Sequence, residues 1–233
     1  MKSIKILHVS SHLGGGIGKS VLSNLDCHLV DGLSVKHNIL LLETPTNTHY
    51  LNRIRNINPG VEVRQYADET YLDDYINAHD IVQIEFWNSP SLCLFLTKHL
   101  AKIRVRVLYY VHYNGLFYPK IPETLLRSSN HILYTSSASL AIDPFCSLGI
   151  KMDFLRGAIQ SSFWTTPLIR ECDSAEFHAS QTLLYVGTTS TAKLDPFCLD
   201  VFEDSSITCE IVGEAGQAGA FQDIVRRRYG NRV

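Results

Sequence analysis

The sequence predicts an α/β protein whose core is a parallel sheet with helices on both faces. Short apolar runs, which indicate buried strands, alternate along the chain with segments of helical periodicity. The first run, residues 4–9, leads through a glycine-rich turn directly into such a helical segment. Strands that alternate with helices indicate a parallel sheet, and helices normally cover both faces of a parallel sheet.

Seven strands are predicted in the first two thirds of the chain, at residues 4–9, 37–42, 61–63, 80–84, 104–111, 132–135 and 152–155. The helix after the first strand has an apolar face with four-residue spacing, formed by Ile17, Val21, Leu25 and Leu29. Gly32 stands where a C-terminal cap would end this helix. A short helical patch is expected at residues 50–55.

A further helix is predicted after the fourth strand, because Ser89 and Pro90 form a typical helix start. Serine favours the N-cap position, and proline favours the first helical position. The apolar face of this helix comprises Leu92, Phe95, Leu96 and Leu100.

The periodic pattern lapses after the seventh strand and then begins again. We therefore predict a first domain over residues 1–165, a linker over 166–180 and a partial second domain over 181–233. The second part should contain strands at residues 183–186 and 208–212. Helices are expected from about Pro196 and near residues 220–229.

Composition narrows the class of protein. The 233 residues are 45% hydrophobic and 19% charged, and the formal net charge is -2, which argues against a nucleic-acid partner. The six cysteines show no paired short spacing, so we expect a reducing compartment and no metal site. A signal region is lacking, and no run reaches the ~20 apolar residues of a membrane span, so we expect a cytoplasmic protein. Peripheral contact with a membrane stays open.

The glycine turn is the first candidate ligand site, and its glycines are Gly14, Gly15, Gly16 and Gly18. Glycines let backbone N–H groups approach a ligand closely, and the start of the following helix favours an anion such as phosphate. The alternative is that these glycines only allow a tight turn.

The order of several features resembles the retaining glycosyltransferases of the GT-B (glycogen-phosphorylase-like) architecture, in the large family numbered four. The matching segments are the glycine turn at residues 14–18, the strand 80–84 before residues 85–88, the strand 107–111 before His112, residues 134–140, and residues 185–188 with Lys193. The resemblance covers the whole chain but about half of the family's length. It implies two Rossmann-like domains facing each other across a cleft, the second one incomplete here.

The resemblance also implies a substrate and roles for several residues. The donor is a nucleotide sugar, no cofactor or metal is needed, and the acceptor is a glycan or a lipid-linked molecule. The glycine turn lies by the donor phosphate, His112 beside the donor sugar, and Lys193 pairs with the diphosphate. Thr188 stands where the family usually has an arginine, and the paired glutamates that hold the donor lie beyond residue 233. His112 as an ordinary strand-end histidine and Lys193 as a solvated lysine remain open alternatives.

Three residues just after the fourth strand are candidates for the acceptor side. Glu85, Trp87 and Asn88 supply a carboxylate, a flat apolar ring and an amide, which are the groups that bind sugars. The alternative for Trp87 is packing against the next helix.

Two other functions remain in view. Residues 14–20 approach the phosphate loop of nucleotide hydrolases, in which Lys19 and Ser20 would contact phosphate and magnesium, with Glu43 or Glu85 near the metal. Leu13 stands where that pattern requires glycine. The chain could also be a non-catalytic sugar- or nucleotide-binding remnant, and its incomplete second domain is expected to self-associate through unpaired strand edges.

Overall fold

The computed structural model describes residues 3–25, 29–30, 32–45, 48–66, 71–113, 121–141, 149–155, 181–186, 207–212 and 227. The chain divides into two compact units, Met1–Thr166 and Pro167–Val233. Each unit contains its own sheet.

The sheet of the first unit confirms the predicted α/β class. Its strands are β1 (Ser3–Ser10), β2 (Leu29–Val30), β3 (Leu33–Leu41), β4 (Glu62–Gln65), β5 (Ile81–Phe86), β6 (Arg106–Val111), β7 (His131–Tyr134) and β8 (Met152–Phe154). Their order is β2-β3-β1-β5-β6-β7-β8, and β4 also pairs with β3. All seven predicted strands are present and parallel, whereas β2 is antiparallel to β3.

Helices pack on both faces of this sheet. They are α1 (Gly15–Leu25), α2 (His49–Ile57), α3 (Leu72–Asn77), α4 (Pro90–His99) and α5 (Glu123–Leu126), with 3₁₀ turns at Leu100–Lys102 and Ser137–Ala141. Successive residues of a strand point to opposite faces. Ile39 and Leu41 of β3 belong to the apolar cluster of α1 and α2, whereas Leu40 belongs to that of α3, α4 and α5.

The first helix is shorter than predicted. It ends at Leu25, and Leu29 lies in β2, which pairs with the start of β3. Gly32 has a φ of +77° in the turn between these strands, so it does not cap the helix. The prediction of a longer helix was wrong because backbone pairing with β3 outweighs the helical periodicity of one leucine. The start of α4 is confirmed: the Ser89 hydroxyl accepts a hydrogen bond from the N–H of Leu92, and Pro90 is the first residue.

The second unit contains β9 (Gln181–Val186) and β10 (Ile207–Val212), which pair in parallel. Both strands were predicted. The predicted linker at residues 166–180 and the helix from Pro196 lie outside the described residues. Of the last predicted helix only Arg227 is described, and it is helical.

Candidate functional site

A layer of polar side chains lies on the α1 face of the central strands. Leu7 and Val9 of β1 enter the cluster on the opposite face, so His8 between them points toward α1. The same alternation places Gln83 and Glu85 of β5 on the α1 face. The strands are in register there, with His8 opposite Gln83. Polar residues of different strands therefore meet inside the protein.

Four side chains, from β3, β1, β5 and the residue after β6, form a continuous hydrogen-bonded chain. His8 Nε2 lies 2.9 Å from His37 Nδ1, and His8 Nδ1 lies 2.8 Å from Glu85 Oε1. The other carboxylate oxygen, Oε2, lies 2.7 Å from His112 Nε2. Gln83 adds a bond from its amide nitrogen to Glu85 Oε1 at 2.7 Å. We call the set His37, His8, Glu85 and His112 the histidine–glutamate chain.

Glu85 is the charged centre of this chain. Its side chain is fully buried, whereas the side chain of His112 is 10% exposed. Burial alone would raise the pKa of Glu85, but hydrogen bonds from His112 and His8 outweigh it and lower the pKa to about 2. An ionised carboxylate only accepts hydrogen bonds. His112 therefore donates through Nε2–H and His8 through Nδ1–H.

The glycine turn combines a packed part and an open part. A Cβ atom on Gly18 would lie 2.3 Å from the carbonyl oxygen of Leu13, so Gly18 is required for packing. The Gly18 N–H donates to the carbonyl of Gly14 at 3.3 Å. Gly15 and Gly16 are exposed and have open space where a side chain would be. Backbone N–H groups in the first turn of a helix lack partners within the helix, and so this turn can accept an anion.

His12 joins the glycine turn to Trp87. Its Nδ1 accepts a hydrogen bond from the N–H of Gly14 at 2.9 Å, and its ring meets the Trp87 ring edge to face with centroids 5.1 Å apart. The Trp87 indole nitrogen is buried and has no hydrogen-bond partner in the described part of the chain. Asn88 is exposed. The arrangement places an aromatic ring beside the open helix start.

The structure brings together some of the residues that the sequence singled out. Glu85 and His112 are hydrogen-bonded, and Trp87 lies by the glycine turn. Because Glu85 is fully buried, its direct contact with an acceptor stays a prediction that this burial does not favour. Thr188 and Lys193 lie outside the described residues.

Sequence reasoning missed four residues of this region: His8, His12, His37 and Gln83. A usable signal existed for three of them, since a polar residue inside an apolar strand occupies a position that normally holds a core residue. His8 interrupts β1, His37 lies in β3, and Gln83 interrupts β5. Their partners could not be read from the sequence, because the partners depend on the order of the strands.

Among the described residues, two cavities can be located near the sheet. One of about 200 Å³ on the α1 face is lined by His8, His37, Gln83 and Tyr110, among others. A larger one of about 500 Å³ lies at the amino ends of the strands, beside Lys5 and Lys36. Open parallel sheets bind ligands at the carboxyl ends of their strands. For that reason we place the candidate site by the glycine turn and His112, although the larger cavity is elsewhere.

Neither a membrane span nor a metal site is found in the described ranges. No helix there is long and apolar enough to cross a membrane. No group of three or more His, Cys, Asp or Glu side chains in those ranges is arranged to hold a metal ion.

Solved structures share this architecture, although no protein-family model and no curated protein sequence matches the chain. An O-GlcNAc transferase mutant from Thermobaculum terrenum superposes with a TM-score of 0.63 at 13% identity, over 99% of this chain and 42% of the other. The chain has a GT-B-type fold. The lipopolysaccharide outer core galactosyltransferase WaaB gives a TM-score of 0.58 at 14% identity, over 100% of this chain and 67% of that one.

The GT-B-type fold also occurs in a putative UDP-N-acetylglucosamine 2-epimerase from Listeria monocytogenes. It matches with a TM-score of 0.56 at 11% identity, over 99% of this chain and 68% of that chain. At such identities the likeness concerns the fold alone. The chain spans less than half of the length of the Thermobaculum transferase.

Proposed function

We propose that this chain binds a nucleotide sugar and serves hexosyl transfer from it to a saccharide, lipid or other acceptor. The supporting observation is that an open helix start and a hydrogen-bonded, partly buried histidine lie at the carboxyl ends of three neighbouring strands, β1, β5 and β6. The GT-B-type fold agrees with this proposal, since the similar structures include two named as transferases.

Each part of the site has a task in this proposal. The free N–H groups of the first turn of α1 hold a phosphate group of the donor, aided by the helix dipole. His112 hydrogen-bonds a hydroxyl of the donor sugar, and Trp87 offers its ring to the apolar face of a sugar. No side chain needs to form a covalent bond, because the leaving phosphate takes the proton of the acceptor. The protein contributes positioning and charge stabilisation.

The second unit has a task of its own in this proposal. We propose that the chain is organised as residues 1–165 on the acceptor side, a linker at 166–180, and residues 181–233 on the donor side. Thr188 and Lys193 would then contact the donor diphosphate. Without an arginine at position 188 one cationic contact is missing, so donor affinity should be low.

Calorimetric titration with UDP-N-acetylglucosamine in the presence of a metal chelator tests this proposal. The matched variants are Gly16→Asp and Gly16→Asn, which differ in charge and hardly in size. A carboxylate at the first turn favours the helix but repels a phosphate, with a Coulomb energy of about 1–4 kcal/mol at 4 Å. We expect Gly16→Asp to bind at least about tenfold more weakly than Gly16→Asn. Equal affinities would contradict a phosphate at this turn.

Product analysis separates the proposed transfer from its alternatives. Transfer releases UDP and extends an acceptor. An epimerase would instead change the configuration of the sugar and would extend no acceptor. Magnesium-dependent ATP hydrolysis that is lost in Lys19→Ala would favour the phosphate-loop alternative. Binding without any turnover would favour a non-catalytic remnant.

A further inference from the structure

The hydrogen bonds of Glu85 all lead to other side chains of the protein. Glu85 accepts bonds from His8 and Gln83 on one oxygen and from His112 on the other, and its side chain is fully buried. In the described part of the chain, its ion-pair partners are the two histidines alone. Both oxygens of this buried carboxylate are therefore engaged by protein groups, which favours a role that acts through those groups.

We propose that Glu85 is a positioning residue, which holds His112 in one ring orientation and one tautomer for the ligand. This inference rests on the proposed function, because it assigns His112 to the donor sugar. With Nε2–H committed to the carboxylate, the atom of His112 that remains for the ligand is Nδ1. In its neutral form His112 therefore accepts a hydrogen bond from a sugar hydroxyl.

The rest of the histidine–glutamate chain keeps the carboxylate in place. His8 and Gln83 fix Oε1, and His37 holds the far nitrogen of His8 at 2.9 Å. The carboxylate can therefore rotate neither toward solvent nor away from His112. The His112 side chain is 10% exposed, whereas that of Glu85 is fully buried. Glu85 thus acts on a ligand through His112.

A glutamine at position 85 separates positioning from simple space filling. Its carboxamide has the same shape but only one accepting oxygen. It cannot accept bonds from both His8 and His112, so at least one ring must change its tautomer or turn. The exposed pair of His131 and Asp153, 3.0 Å apart, provides a matched control in Asp153→Asn.

Nitrogen NMR of the histidine rings in the full chain tests the inference without any ligand. At a pH at which the spectrum shows a single proton on the His112 ring, we expect this proton on Nε2 and an unprotonated Nδ1. Glu85→Gln should change this signature or broaden it, and Asp153→Asn should leave it unchanged. A His112 proton on Nδ1 in the unmodified protein would overturn the inference, even if Glu85→Gln does not fold.

Binding measurements then connect the positioning to the sugar. In Glu85→Gln we expect UDP-N-acetylglucosamine to bind about tenfold more weakly, as for one lost hydrogen bond. The affinity for UDP, which lacks the N-acetylglucosamine group, should change less than about twofold. Equal weakening of both would show general damage and overturn a role directed at the sugar. If the unmodified chain binds neither compound, the proposed function fails, and the NMR measurement alone decides the role of Glu85.

Discussion

Replacement of Glu85 by glutamine should make the stability of this protein less dependent on pH in acid. The pKa of Glu85 lies at about 2, against an ordinary value of 4.5, because two histidines donate hydrogen bonds to its buried carboxylate. A pKa that is lower in the folded than in the unfolded protein means that ionisation stabilises the fold. This stabilisation is fully present above pH 4.5 and is lost as the pH falls toward 2.

The magnitude follows from the two pKa values. A difference of one in pKa corresponds to about 1.4 kcal/mol, so ionised Glu85 contributes on the order of 3 kcal/mol to the free energy of unfolding at pH 7. About 1 kcal/mol of this should be lost at pH 4 and about 2 kcal/mol at pH 3. Glutamine does not ionise, and so Glu85→Gln should show neither the contribution nor its loss.

Urea unfolding of both proteins at pH 7, 4 and 3 measures the effect. The gap between the unmodified protein and Glu85→Gln should be about 3 kcal/mol at pH 7 and should narrow as the pH falls. Asp153→Asn serves as the control, because its pair with His131 is exposed and such pairs contribute about 0–1 kcal/mol. A gap that stays constant or widens between pH 7 and 3 would refute an ionised, histidine-bonded Glu85.

Three further changes test other parts of the structure. Gly18→Ala should lower the free energy of unfolding by about 1–3 kcal/mol, because its Cβ would meet the Leu13 carbonyl. Gly16→Ala, which places its Cβ in open space, should not lower it. Equal urea midpoints for the two variants would contradict this packing. Ser89→Ala should lower the free energy of unfolding by about 1 kcal/mol, because the N-cap of α4 is lost. Ser128→Ala, which removes an exposed hydroxyl, is the control. Equal stabilities of the two variants would contradict the cap. UDP-N-acetylglucosamine should change tryptophan fluorescence, since Trp87 lies by the glycine turn, and a response that survives in Trp87→Phe would place the ligand elsewhere.

The strands of the first unit were predictable because each is a local apolar run. The apolar runs at residues 4–9 and 80–84 predict β1 and β5 from the local sequence alone. The start of α4 was likewise local, in the pair Ser89 and Pro90. The end of α1 was not, because Leu29 fits a helical period while its backbone pairs with β3. Local periodicity cannot show which of two competing pairings satisfies the backbone.

The candidate site was predictable only in part. His112 and Glu85 could be placed at strand ends, but their hydrogen bond joins residues 27 positions apart, and the bond from His8 to Glu85 joins residues 77 positions apart. Such contacts follow from the strand order, in which β1, β5 and β6 are neighbours. The burial of Glu85 follows from the same order. The fold shows Glu85 as a hydrogen-bond partner of two histidines, and its contact with an acceptor stays a prediction.

The proposed function requires that a nucleotide sugar binds at the carboxyl ends of the strands. The most direct test is an NMR titration of the labelled chain with UDP-N-acetylglucosamine in the presence of a metal chelator. The signals of the backbone amides and of the histidine rings are followed together. We predict that the amides of Gly15 and Gly16 and the ring of His112 shift along one binding curve. Shifts confined to Lys5 and Lys36, which line the cavity at the amino ends, or no shifts at all, would contradict the claim.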